Sequence, residues 1–150
     1  MLSRNSLIHG LRRNELIEVL NASDYPIVHK DNSFTPEELK WARPVLFDID
    51  ELHISIAPLS SVKYDWDMAP VDTILIEVIV PALDTDLVEE EDSLLRDSGV
   101  GYILYEPAGA SIRRTVTFVG GVTPDNMLYQ LHLMLLSALH LLHEDVGDDS

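Results

Sequence analysis

The chain has 150 residues, 46% hydrophobic, 24% charged and 7% aromatic, the make-up of one globular domain rather than of a disordered or fibrous chain. Twenty-six acidic residues against ten basic ones leave a net charge of −16, which repels phosphate backbones and anionic lipid and argues against nucleic-acid and membrane partners. The absence of cysteine excludes disulfides, a thiolate nucleophile and Cys-ligated zinc. No run reaches the ~18–20 apolar residues of a membrane span, and the N-terminus lacks the charged-then-apolar order of a signal peptide. The cytoplasm is the expected compartment.

Residues 12–21 predict a helix, with Leu16, Ile17 and Leu20 on one face. Leu7, Ile8 and Leu11 extend the apolar pattern backwards, although Gly10 weakens a helix there. Pro26 ends the helix, and residues 25–30 read as a short strand followed by turn residues Asp31, Asn32 and Ser33. Thr35, Pro36 and Glu38 form a capping box for a short helix, anchored by Leu39 and Trp41 and stopped before Pro44.

Residues 45–49 and 52–57 alternate apolar with polar, and the parity switches between Ile49 and Leu52. That predicts either one bulged strand or two strands around Asp50 and Glu51. Residues 58–70 connect without a clear period. The near-continuous apolar run 74–80 predicts a strand buried on both faces, with Glu77 as a buried carboxylate or one held by a local polar partner.

Residues 84–96 predict an acidic helix with Leu87, Val88, Leu94 and Leu95 as its apolar positions, stopped by Gly99. Residues 101–106 and 111–119 predict a hairpin around Pro107, Ala108 and Gly109. In its second strand Arg113, Thr115 and Thr117 face one way. Ile112, Val116 and Phe118 face the other, with Arg114 on their side. Thr123, Pro124 and Asp125 start a last helix running to about residue 143, with Val122 and Met127 spaced as a hydrophobic staple. The expected whole is a single α+β domain over residues 1–146, with about five antiparallel strands and N-terminal, middle and long C-terminal helices. Residues 147–150 form a frayed acidic tail.

The last helix carries the strongest signal. Leu128, Leu131, Met134, Leu135, Leu139 and Leu142 read as one face, and Met127, Leu133, Leu136 and Leu141 add apolar surface elsewhere. A monomer core needs a stripe of only about 100°, so the surplus predicts a homodimer or a protein partner. Leu128, Leu131, Leu135, Leu139 and Leu142 are the expected interface residues. Trp66 joins them from the Tyr64-Asp65-Trp66-Asp67 segment, which reads equally as a recognition loop or as a loop packed down by Trp66.

His132, His140 and His143 lie on another broad side with Asp125, Tyr129 and Leu136. A polar stripe is the expected reading, and a small metal-binding protein or metal-dependent enzyme using these histidines with nearby acids is the alternative. No H-x-x-x-H or HExxH spacing is present, so no metal and no cofactor is expected. The acidic run Asp84, Asp86, Glu89, Glu90, Glu91 and Asp92 reads as a solvated helix face, because consecutive helical residues do not converge on a cation. The loop starting at Asp31 fails as an EF-hand, because its twelfth position is Ala42. Without GxSxG, P-loop or GxGxxG signatures, the chain reads as a non-enzymatic binding module.

Two segments carry a resemblance: Asp24-Tyr25-Pro26-Ile27-Val28 after the first helix, and Gly120-Gly121-Val122-Thr123-Pro124-Asp125-Asn126-Met127-Leu128 leading into the last. With the order of elements, they resemble the YbjN family of proposed bacterial sensory transduction regulators, whose fold is similar to type III secretion chaperones. The resemblance implies an α+β domain, often dimeric, that binds another protein. It implies no catalytic residue.

Overall fold

The computed structural model describes residues 5–30, 42–59, 64–81, 84–106 and 109–147. The turn and capped helix read at 31–41, and residues 148–150 of the tail, lie outside the described residues. The elements in chain order are α1 (Arg13–Asn21), β1 (Ile27–His29), β2 (Val45–Ile49), β3 (Leu52–Pro58), β4 (Thr73–Val80), α2 (Thr85–Ser98), β5 (Tyr102–Glu106), β6 (Gly109–Thr117) and α3 (Pro124–Gly147). The chain is α+β with an antiparallel sheet, and among the described residues the strands number six rather than about five.

The extra strand comes from the parity switch. Ile49 faces Leu52 directly across a two-residue turn, and Asp50 takes a left-handed backbone with φ 52°. Aspartate is among the few non-glycine residues that tolerate this region. The turn returns both apolar sets to one face, so no bulge is needed.

The sheet order is β1-β2-β3-β4-β6-β5, and every neighbouring pair is antiparallel. Strands β4 and β5 flank β6 and therefore run parallel to each other. Such a pair needs a long crossover, which α2 supplies. On one face Phe47, Ile54, Ile76, Val78 and Ile112 are buried in a single core with Leu16 and Leu20 of α1, Val88 and Leu95 of α2, and Leu131 and Met134 of α3.

Strand β4 does not bury both faces. Ile74, Ile76, Val78 and Val80 are buried, whereas Leu75, Glu77 and Ile79 are half-buried on the opposite face. Cross-strand neighbours shield them: Ile79 sits between His53 and Ser111, and Leu75 between Ala57 and Thr115. A continuous apolar run cannot tell such lateral shielding from a covering layer.

The segment before α1 is extended rather than helical. Ile8 bridges Val122 and Leu11 bridges Val71, both antiparallel. Gly10 lets this segment press on residue 70, since a Cβ there would lie 3.1 Å from the Pro70 Cβ. Helix α1 then starts at Arg13, with the Arg12 N–H donating to Glu15 Oε1 at 3.0 Å. Trp66 is fully buried, and its indole N–H donates to the Leu11 carbonyl at 2.8 Å. The 64–67 loop is thus packed down, and Trp66 is a core anchor rather than a recognition residue.

In α2 the Asp84 side chain accepts from the backbone N–H groups of Asp86 and Leu87, the expected N-cap arrangement. Leu94 is exposed, and Glu91 lies buried where Leu94 was expected to pack. Val88, Glu91 and Leu95 recur at i, i+3 and i+7, so the inward face includes the acid. Arg114 faces the core side of β6. Its Nε donates to Gln130 Oε1 of α3 at 2.7 Å, and its Nη1 donates to the carbonyls of Gly99, at 2.8 Å, and Val100. It thereby closes the C-terminal end of α2, where Gly99 takes the left-handed conformation with φ 74°.

Candidate functional site: the outward face of the last helix

Helix α3 starts where the Thr123 hydroxyl accepts from the Asn126 N–H at 3.0 Å. Its buried face is Met127, Leu131, Met134, Leu135, Ala138 and Leu141, the 3.6-residue spacing of a helix docked on a sheet. That face is rotated from the one expected. Met127 and Leu141 belong to the core, and Leu139 does not.

The six expected interface residues separate accordingly. Leu131, Leu135 and Trp66 are buried in the chain's own core, and Leu128 and Leu142 are half-buried against it. Only Leu139 of the six is exposed, at 37%. A side chain enclosed by its own fold has no surface to offer, so the solvent-facing side of α3 is made by the residues opposite.

Those residues are Tyr129, His132, Leu133, Leu136, Leu139, His140 and His143. At about 100° per residue they span roughly a third of the helix circumference. Tyr129 is 58% exposed and Leu136 50% exposed. The three histidines are also exposed, and Leu133 is half-buried. Residues 129–143 contain no Asp, Glu, Lys or Arg, although 24% of the whole chain is charged. The outward face of α2, by contrast, presents Asp86, Glu89, Glu90 and Asp97.

Neighbouring elements hold two of the histidines in place. His132 Nδ1 lies 3.0 Å from the Tyr25 hydroxyl, and its ring centroid lies 6.4 Å from that of Tyr129. Burial pushes the Tyr25 phenol above its ordinary range, so the hydroxyl beside the imidazole stays protonated. A hollow of about 370 Å³ opens beside this pair, lined by Asp24, Asp125 and Leu128 among others. Farther along, His140 Nδ1 lies 2.9 Å from Glu91 Oε2, joining α3 to α2. His132 and His140 therefore have partners on different elements. Among the described residues no three His, Asp or Glu side chains gather as a metal set.

The sheet face opposite the helices carries two polar clusters. Ser111 Oγ donates to Glu77 Oε2 at 2.9 Å, and Arg113 Nη2 lies 3.5 Å from the same oxygen. Asp48 sits between Lys30 and His53, at 2.8 Å from each. Burial pulls the Asp48 carboxyl up, but hydrogen bonds and charge from Lys30 and His53 outweigh it and leave it below the usual carboxylate range. These charges pair within the chain (Glu77 faces Arg113 directly across the strands), as expected of a sheet face that holds itself together.

Comparison with protein-family models and with curated proteins finds no match for this chain. No helix among the described residues is long and apolar enough to cross a membrane.

Proposed function

We propose that this chain is a non-enzymatic protein-binding or regulatory module, working in the cytoplasm through the outward face of α3. The observation that carries this reading is the uncharged apolar and imidazole stripe from Tyr129 to His143, exposed on a chain of net charge −16. Solvent-facing helix surfaces are ordinarily charged, and clustered Leu, Tyr and His on such a surface mark an interaction site. A chaperone-like or regulatory role of the kind the YbjN resemblance implies uses such a face. The cysteine-free composition suits a reducing compartment.

Substitution at Leu136 tests the reading, because half of that side chain is in solvent and the fold does not depend on it. Leu136→Arg is expected to melt within about 0.5 kcal/mol of the parent and to lose whatever protein the parent retains on an affinity matrix, its own copy included. A variant that keeps the same bound proteins and the same mass contradicts the proposal.

A further inference from the structure

We infer that helix α2 closes the β5 edge of the sheet against strand addition, with the Asp92 carboxylate standing where a neighbouring strand would place a carbonyl. The inference is independent of the α3 face. The sheet ends in β1 on one side and β5 on the other, and an end strand offers its outward backbone groups as a template for another chain. The two ends differ. Strand β1 has three residues with Lys30 next in the chain, and a short strand beside a lysine recruits poorly. Strand β5 has five residues. The run Val100-Gly101-Tyr102-Ile103-Leu104-Tyr105 carries no charge and no proline, a composition that favours strand pairing. Leu104 and Tyr105 are exposed.

Hydrogen bonds from the β5 backbone show how that end is closed. In an antiparallel pair, successive residues alternate between bonding the partner strand and pointing their backbone groups away from it. Ile103 lies opposite Ile112, yet its N–H donates to Asp92 Oδ1 of α2 at 2.6 Å. Two residues earlier, with the same parity, the Gly101 N–H donates to the Leu95 carbonyl at 3.4 Å. The outward donors of Gly101 and Ile103 thus both end on α2.

Asp92 is itself fixed. Its Oδ2 accepts from Arg96 Nε at 2.9 Å, and the Arg96 guanidinium lies 5.4 Å from the centre of the Tyr102 ring. An Asp–Arg pair one turn apart is an ordinary helix-surface feature. A strand N–H on the second carboxylate oxygen is not. A strand arriving beside β5 would have to offer Ile103 a neutral carbonyl in place of this carboxylate, which accepts the more strongly of the two.

Variants of the full chain test this. Asp92→Ala removes the acceptor, and Asp92→Asn keeps a carbonyl oxygen at the same reach. Asp84→Ala loses the cap of α2 and destabilises the same helix with Asp92 in place. Each is incubated at equal concentration below its own melting temperature and followed by light scattering and thioflavin fluorescence. Asp92→Ala is expected to assemble at least about tenfold faster than the parent, and adding Leu104→Lys to suppress most of that gain, because an edge lysine opposes pairing. Asp92→Asn and Asp84→Ala are expected to behave as the parent does. A folded Asp92→Ala that does not assemble, or Asp84→Ala assembling as fast, overturns the inference. Amide exchange of the parent tests it without any variant. The Ile103 N–H is expected to exchange at least about a hundredfold slower than an unstructured amide, and faster exchange overturns the assignment.

Discussion

The Arg114 guanidinium on β6 donates to Gln130 Oε1 on α3 at 2.7 Å and also to the carbonyls of Gly99 and Val100, just past the end of α2. One side chain thus joins the sheet to two helices and fixes how α3 lies on it. Which face of α3 turns outward follows from this placement. Arg114→Met retains the apolar stem but leaves the Gly99 and Val100 carbonyls and the Gln130 amide oxygen without their donor. Orphaned polar groups of this kind cost about 1–3 kcal/mol each. Urea denaturation should show a loss of roughly 2–4 kcal/mol with unchanged slope; an unchanged midpoint would mean that Arg114 has no such role.

The two faces of α3 should respond oppositely to charge. Leu135 is buried and Leu139 is 37% exposed. Leu135→Asp puts an unpaired carboxylate in the core and is expected to cost more than about 4 kcal/mol, enough to unfold a marginal domain. Leu139→Asp should fold within about 1 kcal/mol of the parent yet weaken association. Circular dichroism melts of the pair decide this, and equal melting temperatures would mean the helix is rotated from the position described.

Glu91 is buried while its partner His140 is half in water. Removing the acid strands no buried charge, because the imidazole can rehydrate. Replacing a buried ionic group with a well-packed apolar one is often neutral or stabilising by about 1–4 kcal/mol. Glu91→Leu is therefore expected to melt at or above the parent temperature, and Glu91→Lys well below it. A lower melting point for Glu91→Leu would show that the pair itself holds α2 on α3.

The Asp48 cluster predicts a pH effect. Lys30 and His53 hold the folded carboxyl below its ordinary value of 3.8. Such a group stabilises the fold above the unfolded pKa, and that contribution is lost as pH falls through the folded pKa. The stability gap between parent and Asp48→Asn should stay below about 1 kcal/mol and shrink as pH falls below 4. A gap that widens below pH 4 would reverse the sign assigned to this carboxyl.

Much of the architecture was legible because local rules and packing agree. The Thr123-Pro124-Asp125 start of α3, the Gly99 stop and the alternation in β2 and β3 each act within a few residues. Non-local contacts decided the rest. Leu11 reads as helical until Val71 and the Trp66 indole claim its backbone. Leu94 and Glu91 exchange expected places because His140, 49 residues away, meets the acid. The candidate face was legible as composition but not as orientation. Leucine on nearly every side of α3 left its rotation undetermined until the sheet selected Met127, Met134 and Leu141. The histidine spacing that suggested a metal set or a polar stripe then became part of the outward face.

The most direct test of the central claim is protein retention by the immobilised parent chain and by Leu136→Arg at matched loading, with thermal melting confirming that both are folded. The account predicts that the parent retains protein, another copy of the chain included, and that Leu136→Arg loses it. Equal retention by the two would contradict it.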